Sequence, residues 1–155
     1  MKKPCKLISS ILIPLLIGFG GSFFTVSSIN SWYSTINKPF FNPPNWIFSP
    51  VWTTLFILIG ISFYLVWQKD FGKNKKQILA IYFTQLAFNF FWSIFFFALQ
   101  NPLLAFIEII ILWILIFLNI KVFYKIDKRA GYLLIPYLLW VSFASILNLS
   151  IVILN

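Results

Sequence analysis

The chain has 155 residues, of which 61% are apolar and only 10% charged, 12 basic and 3 acidic, for a net charge of +9. Soluble domains carry about 45–50% apolar and about 25% charged residues, so a water-soluble globule is excluded; it would have no place for 7 Trp, 6 Tyr and 20 Phe. At about 20 residues per membrane-spanning helix, the length holds five or six spans in one compact bundle and no second domain.

The charged residues leave long empty windows at 7–37, 39–68, 77–107 and 130–155. Each is long enough to cross a bilayer. Glu108 is the only charge between Lys76 and Lys121, an interval too long for one helix, so two are expected there, joined near Gln100-Asn101-Pro102. The predicted spans are 7–27, 50–68, 77–99, 103–124 and 131–154, an all-α integral membrane protein with a five-helix bundle as its single domain, residues 1–155.

In chain order, Lys2, Lys3 and Lys6 precede the first span. The first span contains Pro14, which removes a helical hydrogen bond and predicts a kink. Residues 22–30 show no A-x-A-like cleavage site, so this span is not read as a secretory signal. The connection from Ser28 to Ser49 is long and ring-rich: Trp32, Tyr33, Phe40, Phe41, Trp46 and Phe48 stand among Pro39, Pro43 and Pro44. Long loops in compact proteins are usually functional or disordered, and this composition argues for a stiff lid. Ser49-Pro50 and Asn101-Pro102 each place a capping side chain before a proline, which predicts helix starts at the second and fourth spans. Lys69, Lys73, Lys75 and Lys76 follow the second span; Lys121, Lys125, Lys128 and Arg129 lie between the fourth and fifth; Lys38 alone lies in the first loop. This alternation is the positive-inside pattern, and it predicts a cytoplasmic N-terminus and an outer C-terminus. A nucleic-acid partner is excluded, because these charges follow topology rather than clustering on one recognition face. Pro136 predicts a second bend.

One cysteine, Cys5, and no histidine exclude an intrachain disulfide, a zinc site and His-ligated haem. Inside the spans, polar side chains are costly unless paired. Gln85, Asn89 and Trp92 share one face of the third span at i, i+4 and i+7. Glu108, Leu112, Leu115 and Asn119 share one on the fourth, and Trp140, Ala144, Leu147 and Asn148 one on the fifth. Asn119, Asn148, Trp67 and Trp113 read as contacts between helices or with the interface. Trp92 and Trp140 lie near mid-span, roughly 15 Å from either interface, and read as a cavity wall, while Trp52 fits an interfacial belt or a pocket rim. Glu108 has no cation at its depth, Lys121 being about 20 Å away along the helix. It is expected to be protonated or bonded to neighbouring amides. No acid/base pair, metal site or activated nucleophile is evident.

These motifs resemble the TspO/MBR family of tryptophan-rich sensory and translocator proteins. Pro14, Gly18, Gly21 and Ser22 are similar to its first-helix pattern. Trp32-Tyr33, Lys38-Pro39-Phe40 and Pro43-Pro44-Asn45-Trp46 are similar to its first loop. Pro50-Val51-Trp52, Tyr64-Leu65-Val66-Trp67, Gln85 to Trp92 and Pro136 to Ala144 follow its later segments. The resemblance implies a homodimer in the lipid bilayer of the cytoplasmic membrane that binds porphyrin-type small molecules such as protoporphyrin IX and related flat ligands. It implies no obligatory cofactor, porphyrin being the ligand, and a role as a receptor in tetrapyrrole or stress regulation or transport. The ligand-binding set it implies, joined with the cavity reading above, is Ser22, Tyr33, Pro44, Trp52, Phe56, Asn89, Trp92, Leu104, Trp140, Ala144 and Leu147. Phe56 stands where the family has a tyrosine. The alternative activity is light- and oxygen-dependent porphyrin breakdown using Trp52 and Trp140. The C-terminal segment lacks the tyrosine and basic residue of the sterol motif, so sterol is not expected as a ligand.

Overall fold

A computed structural model describes residues 3–71 and 74–155; Lys2 and Lys73, both part of the charge pattern, lie outside the described residues. The elements are α1 (Lys3–Ile29), a short α2 (Trp32–Thr35), α3 (Asn45–Gln68), α4 (Lys75–Ser93) continued by a π-turn (Ile94–Ala98), α5 (Pro102–Ile126), α6 (Lys128–Leu133) and α7 (Ile135–Leu154). Five helical segments are long and apolar enough to cross a membrane: α1, α3, α4 with its π-turn, α5, and α6 with α7. This is the five-helix membrane bundle that the charge-free windows predict.

Local chemistry explains most boundaries. Asn101 caps α5 as expected, its side chain accepting from the Leu104 N–H at 3.0 Å, with Pro102 in the first turn. The expected start at Ser49-Pro50 is corrected: α3 begins more than a turn earlier, at Asn45, directly after Pro44, whose φ of −55° and ψ of 142° are extended. Pro50 therefore lies inside α3. It deprives the Trp46 carbonyl of its helical donor, at a residue exposed enough for solvent to replace it. The bend expected at Pro136 appears as a break at Leu134, with Pro136 in the first turn of α7. There its missing N–H costs nothing. α1 runs unbroken through Pro14.

Around the bundle, α1 packs on α3 and α4, α3 on α6, and α5 on α4, α6 and α7. The core of Ile59, Phe63, Val66, Tyr82, Leu86, Leu112, Ile116 and Phe123 fills the half nearer the basic loops, where Phe63 and Tyr82 stack at 4.1 Å between centroids. Asp127 ties the corner between α5 and α6. Its carboxylate accepts from the Arg129 N–H at 2.9 Å and from the Arg129 guanidinium at 3.0 and 3.2 Å, and lies 3.3 Å from Lys69 at the end of α3. The Arg129 side chain holds this carboxyl well below the usual carboxylate range.

α1 differs from the other spans in how it packs. Its buried residues are Ser10, Pro14, Gly21 and Ser28, all small except the proline, while Leu16, Phe19, Phe23 and Val26 are exposed. Small residues let helix backbones approach closely in lipid. The tightest approach is at Gly60 of α3, where a Cβ would lie 2.6 Å from Ile11 Cα and 2.7 Å from the Ser10 carbonyl oxygen. Both are backbone atoms, so no side-chain rotation relieves the clash. Gly60→Ala is expected to lower stability by about 1–3 kcal/mol, the usual cost of overpacking, read as a lower unfolding midpoint in mild detergent. Gly20→Ala, whose Cβ would meet only the Phe90 ring at 3.1 Å, should cost clearly less.

Candidate functional site: an aromatic cavity in the loop-side half of the bundle

On the loop side of the Gly60 contact, the bundle holds a cavity of about 670 Å³. That lies within the roughly 300–1,000 Å³ of small-molecule sites. Its walls come from α1, α3, α4, the π-turn, α5 and α7, and none of the described residues lining it is charged. Ser22, Tyr33, Trp52, Phe56, Asn89, Trp92, Trp140, Ala144 and Leu147 all line it. Two expected residues do not. Leu104 sits in the first turn of α5 and points outward, 37% exposed, because the Asn101 cap turns the opposite side of that helix inward. Pro44 is the exposed residue preceding α3, and its neighbour Asn45 lines the cavity instead.

The aromatic walls are built from contacts between rings. Trp52 stacks on Phe56 at 5.5 Å and meets Tyr137 edge-on at 6.2 Å. Trp140 meets Phe48 at 6.1 Å and Phe143 at 5.5 Å. Gly18 lets the Phe56 ring lie against the α1 backbone, since a Cβ there would fall 2.2 Å from a ring carbon. Trp52 is therefore part of a cavity wall, which resolves the choice between belt and pocket rim.

Polar groups at the cavity are few, and most are spent on neighbouring helices. The Trp92 indole N–H donates to Asn148 Oδ1 at 3.1 Å, and Asn148 Nδ2 donates to the Pro102 carbonyl at 2.8 Å, joining α4, α7 and α5. Asn89 Nδ2 donates to the Tyr137 hydroxyl at 2.9 Å. The buried Trp140 N–H makes no hydrogen bond to the protein. Trp113, expected as a contact between helices, donates to Ser142 at 2.8 Å. Asn119 makes no such bond: both of its amide atoms are buried without a partner. Of the two states expected for Glu108, protonated or bonded to neighbouring amides, the second is not met: neither carboxyl oxygen has a hydrogen-bonding partner among the described residues.

The loop closes one end of the cavity. Tyr33 packs against Phe96 at 6.1 Å and Phe97 at 5.7 Å, and its hydroxyl donates to Asn42 at 2.9 Å. Burial pushes its phenol above the ordinary value, and the hydrogen bond to Asn42 pulls the other way. Lys38 donates to the carbonyls of Tyr33 at 2.7 Å and Ile36 at 3.1 Å and lies 4.8 Å over the Tyr33 ring. Asn37 and Asn155 bind each other's ends: the Asn37 N–H donates to Asn155 Oδ1 at 2.9 Å, and Asn155 Nδ2 to the Asn37 carbonyl at 3.0 Å. Ser28 donates to the Phe97 carbonyl at 2.9 Å. The loop is thus stitched to the π-turn and to the end of α7.

Sequence reasoning missed Phe48, Phe96, Phe97, Ile109 and Leu112, which also line the cavity. Nothing in their identity distinguishes them from exposed apolar neighbours outside the lining such as Phe23 or Ile110. The π-turn likewise has no residue signature. It carries Phe96 and Phe97 inward as consecutive residues, both buried, which a regular helix does less readily with neighbours about 100° apart.

Five spanning helices around an uncharged, ring-lined cavity with a stitched loop across one end define a small helical membrane protein with a binding chamber. The TspO/MBR family pattern matches residues 10–154. The chain is 52% identical over 150 residues to a tryptophan-rich protein TspO of Archaeoglobus fulgidus, covering 97% of each chain. It is 35% identical to a tryptophan-rich sensory protein of Cereibacter sphaeroides, over 81% of this chain and 78% of that one. It is 34% identical to the human translocator protein, over 88% and 82%. The chain is an integral membrane protein and belongs to the TspO/MBR family.

Asn148 is the link by which three helices hold the cavity wall. Asn148→Leu strands the Trp92 N–H and frees the Pro102 carbonyl, and is expected to cost about 1–2 kcal/mol. A thermal unfolding series in detergent, with Ser150→Ala as a control on the same helix, checks this.

Proposed function

We propose that this chain is a membrane receptor that takes flat, hydrophobic tetrapyrroles of the protoporphyrin IX type into its cavity. The observation that carries this is the uncharged chamber of about 670 Å³ walled by Trp52, Phe56, Trp92 and Trp140. Ring faces stack on a planar macrocycle without an axial ligand, which suits a chain with no histidine. The names of the relatives, a sensory protein and a translocator protein, support a receptor or transport role over a purely structural one. The same reading includes a homodimer in the cytoplasmic membrane, with the N-terminus in the cytoplasm and the C-terminus outside.

Titration of the purified protein with protoporphyrin IX in the dark should quench tryptophan fluorescence saturably. A Trp52→Leu/Trp140→Leu double variant should bind at least about five-fold more weakly, each ring contact being worth about 0.5–1.5 kcal/mol. Unchanged affinity rejects the aromatic chamber as the site. If illumination in air then bleaches the porphyrin only when both indoles are present, the protein is an enzyme rather than a receptor.

Orientation has its own measurement. A reporter fused after Asn155 should be active only on the outer face of the membrane, as the basic clusters dictate. Cytoplasmic activity rejects the orientation and leaves the chamber untouched.

A further inference from the structure

The loop between α2 and α3 has an outer side that the cavity does not use. Residues 39–42 form a turn closed by the Asn42 N–H on the Pro39 carbonyl at 3.0 Å. Two consecutive rings part there. Phe41 is partly buried and meets Phe143 of α7 at 6.3 Å, whereas Phe40, edge-on to Phe41 at 5.4 Å, is 100% exposed. Beside Phe40 runs an open groove of about 420 Å³, lined by residues 38–41 of the loop and by Ser150, Ile153 and Leu154 of α7.

Hydrogen bonds set the level of this groove in the bundle. Asn37 is bonded to Asn155 and, through its Nδ2 at 3.2 Å, to the Leu154 carbonyl, so the loop passes the end of the last spanning segment, which closes at Leu154. Ser150 stands four residues inside that end, about 6 Å by helical rise. The groove therefore begins within the span and finishes at its edge. It is also continuous with a bilayer-facing surface, since Leu139, Ile146, Leu149 and Ile153 are all exposed and follow at helical spacing along one face of α7.

The polar groups of the groove are already engaged. The Lys38 ammonium is held by the Tyr33 and Ile36 carbonyls, and the Ser150 hydroxyl donates to the Ile146 carbonyl at 2.9 Å. What remains is hydrocarbon, from Pro39, Phe40, Ile153 and Leu154. In water that surface would carry the full cost of apolar exposure; against acyl chains, which are as apolar as Leu, it carries none. A second copy of the chain fits less well, because the exposed positions on this face of α7 are Leu and Ile, with no small residue to let another helix backbone approach.

We propose that this groove binds an acyl chain of a membrane lipid from the leaflet on the loop side, and that Phe40, set into that leaflet, anchors the loop to the bilayer. The loop is then held from both sides. Tyr33 and Phe41 fix its inner side to the π-turn and α7, and Phe40 fixes its outer side to lipid. Opening the cavity at this end requires Phe40 to leave the hydrocarbon, so the bilayer itself helps to keep the chamber shut.

Spin labelling of the whole protein in lipid nanodiscs tests the contact without any ligand. Cys5, the free cysteine, is first replaced by Ser. A nitroxide is then attached at Phe40→Cys, at Ile153→Cys as the lipid reference, or at Lys128→Cys as the aqueous reference. Oxygen collects in hydrocarbon and a nickel chelate stays in water. The Phe40 label should favour collisions with oxygen, as the Ile153 label does. A Phe40 label with the nickel preference of Lys128 overturns the site, and so does one shielded from both reagents, as a second copy or another protein would leave it. Hydrogen exchange tests the anchor: Phe40→Ser should speed exchange across residues 30–44 about three-fold or more and leave α5 unchanged. Unchanged exchange in the loop overturns the anchor. Neither measurement uses the cavity, so both decide the lipid site whether or not protoporphyrin IX binds the chamber.

Discussion

The structure depends on one close approach, the backbone of α1 against Gly60 of α3. Pro14 has no N–H, so the Ser10 carbonyl one turn earlier lacks its helical donor. That carbonyl oxygen is the atom set 2.7 Å from where a Gly60 side chain would begin. Two sequence features 46 residues apart therefore meet at one point. The proline frees a carbonyl, and the glycine lets α3 come near enough to pack against it, with its Cα–H available for a weak contact. Because α1 is held there through backbone and small residues, its large side chains are left to lipid and to the cavity above. The chamber lies on the loop side of this contact, where Gly18 of α1 and Phe56 of α3 both line it.

Hydrocarbon sets the second constraint, since a polar group on a spanning helix must find its partner inside the protein. The bundle meets it mostly with short chains of hydrogen bonds that cross between helices. Trp92, Asn148 and the Pro102 carbonyl form one, and Trp113, Ser142 and the Leu138 carbonyl another. The first consumes donors next to the cavity. The interior surface is consequently apolar even though amides and indoles are built into it, and the few polar atoms that still face it act as directed contacts.

Much of this was legible in the residues. The five spans follow from where charge is absent, because a charged side chain in hydrocarbon is expensive wherever the fold places it. The stripe of Gln85, Asn89 and Trp92 was also readable, since helical spacing alone puts the three on one face. Their partners were not. Tyr137 looks like any membrane aromatic, and only the packing of α7 on the bundle brings its hydroxyl between Asn89 and Gln85. Asn119 carried the same signal as Asn148 but met no partner, because spacing gives a face and not what lies opposite. Ser49-Pro50 imitates a helix start; Pro43-Pro44 punctuates the chain first, and Pro50 is tolerated within the helix that follows. Leu104 was misplaced by a rotation about α5 that the cap at Asn101 fixes.

The disposition of charge limits how a ligand can sit. Lys38 is the one basic residue of the long loop, and its ammonium is already engaged by two carbonyls and the Tyr33 ring. It serves to hold the loop closed. With no charged residue on the chamber wall, an ionised carboxylate drawn inside would lose hydration and gain no ion pair, a cost far larger than a stacked ring recovers. An acidic group on any ligand would therefore be least costly beside Asn45 and Ser49, which are exposed polar residues of the lining. The ring faces of the walls favour flat partners for stacking, and the absence of charge on them disfavours ionised groups.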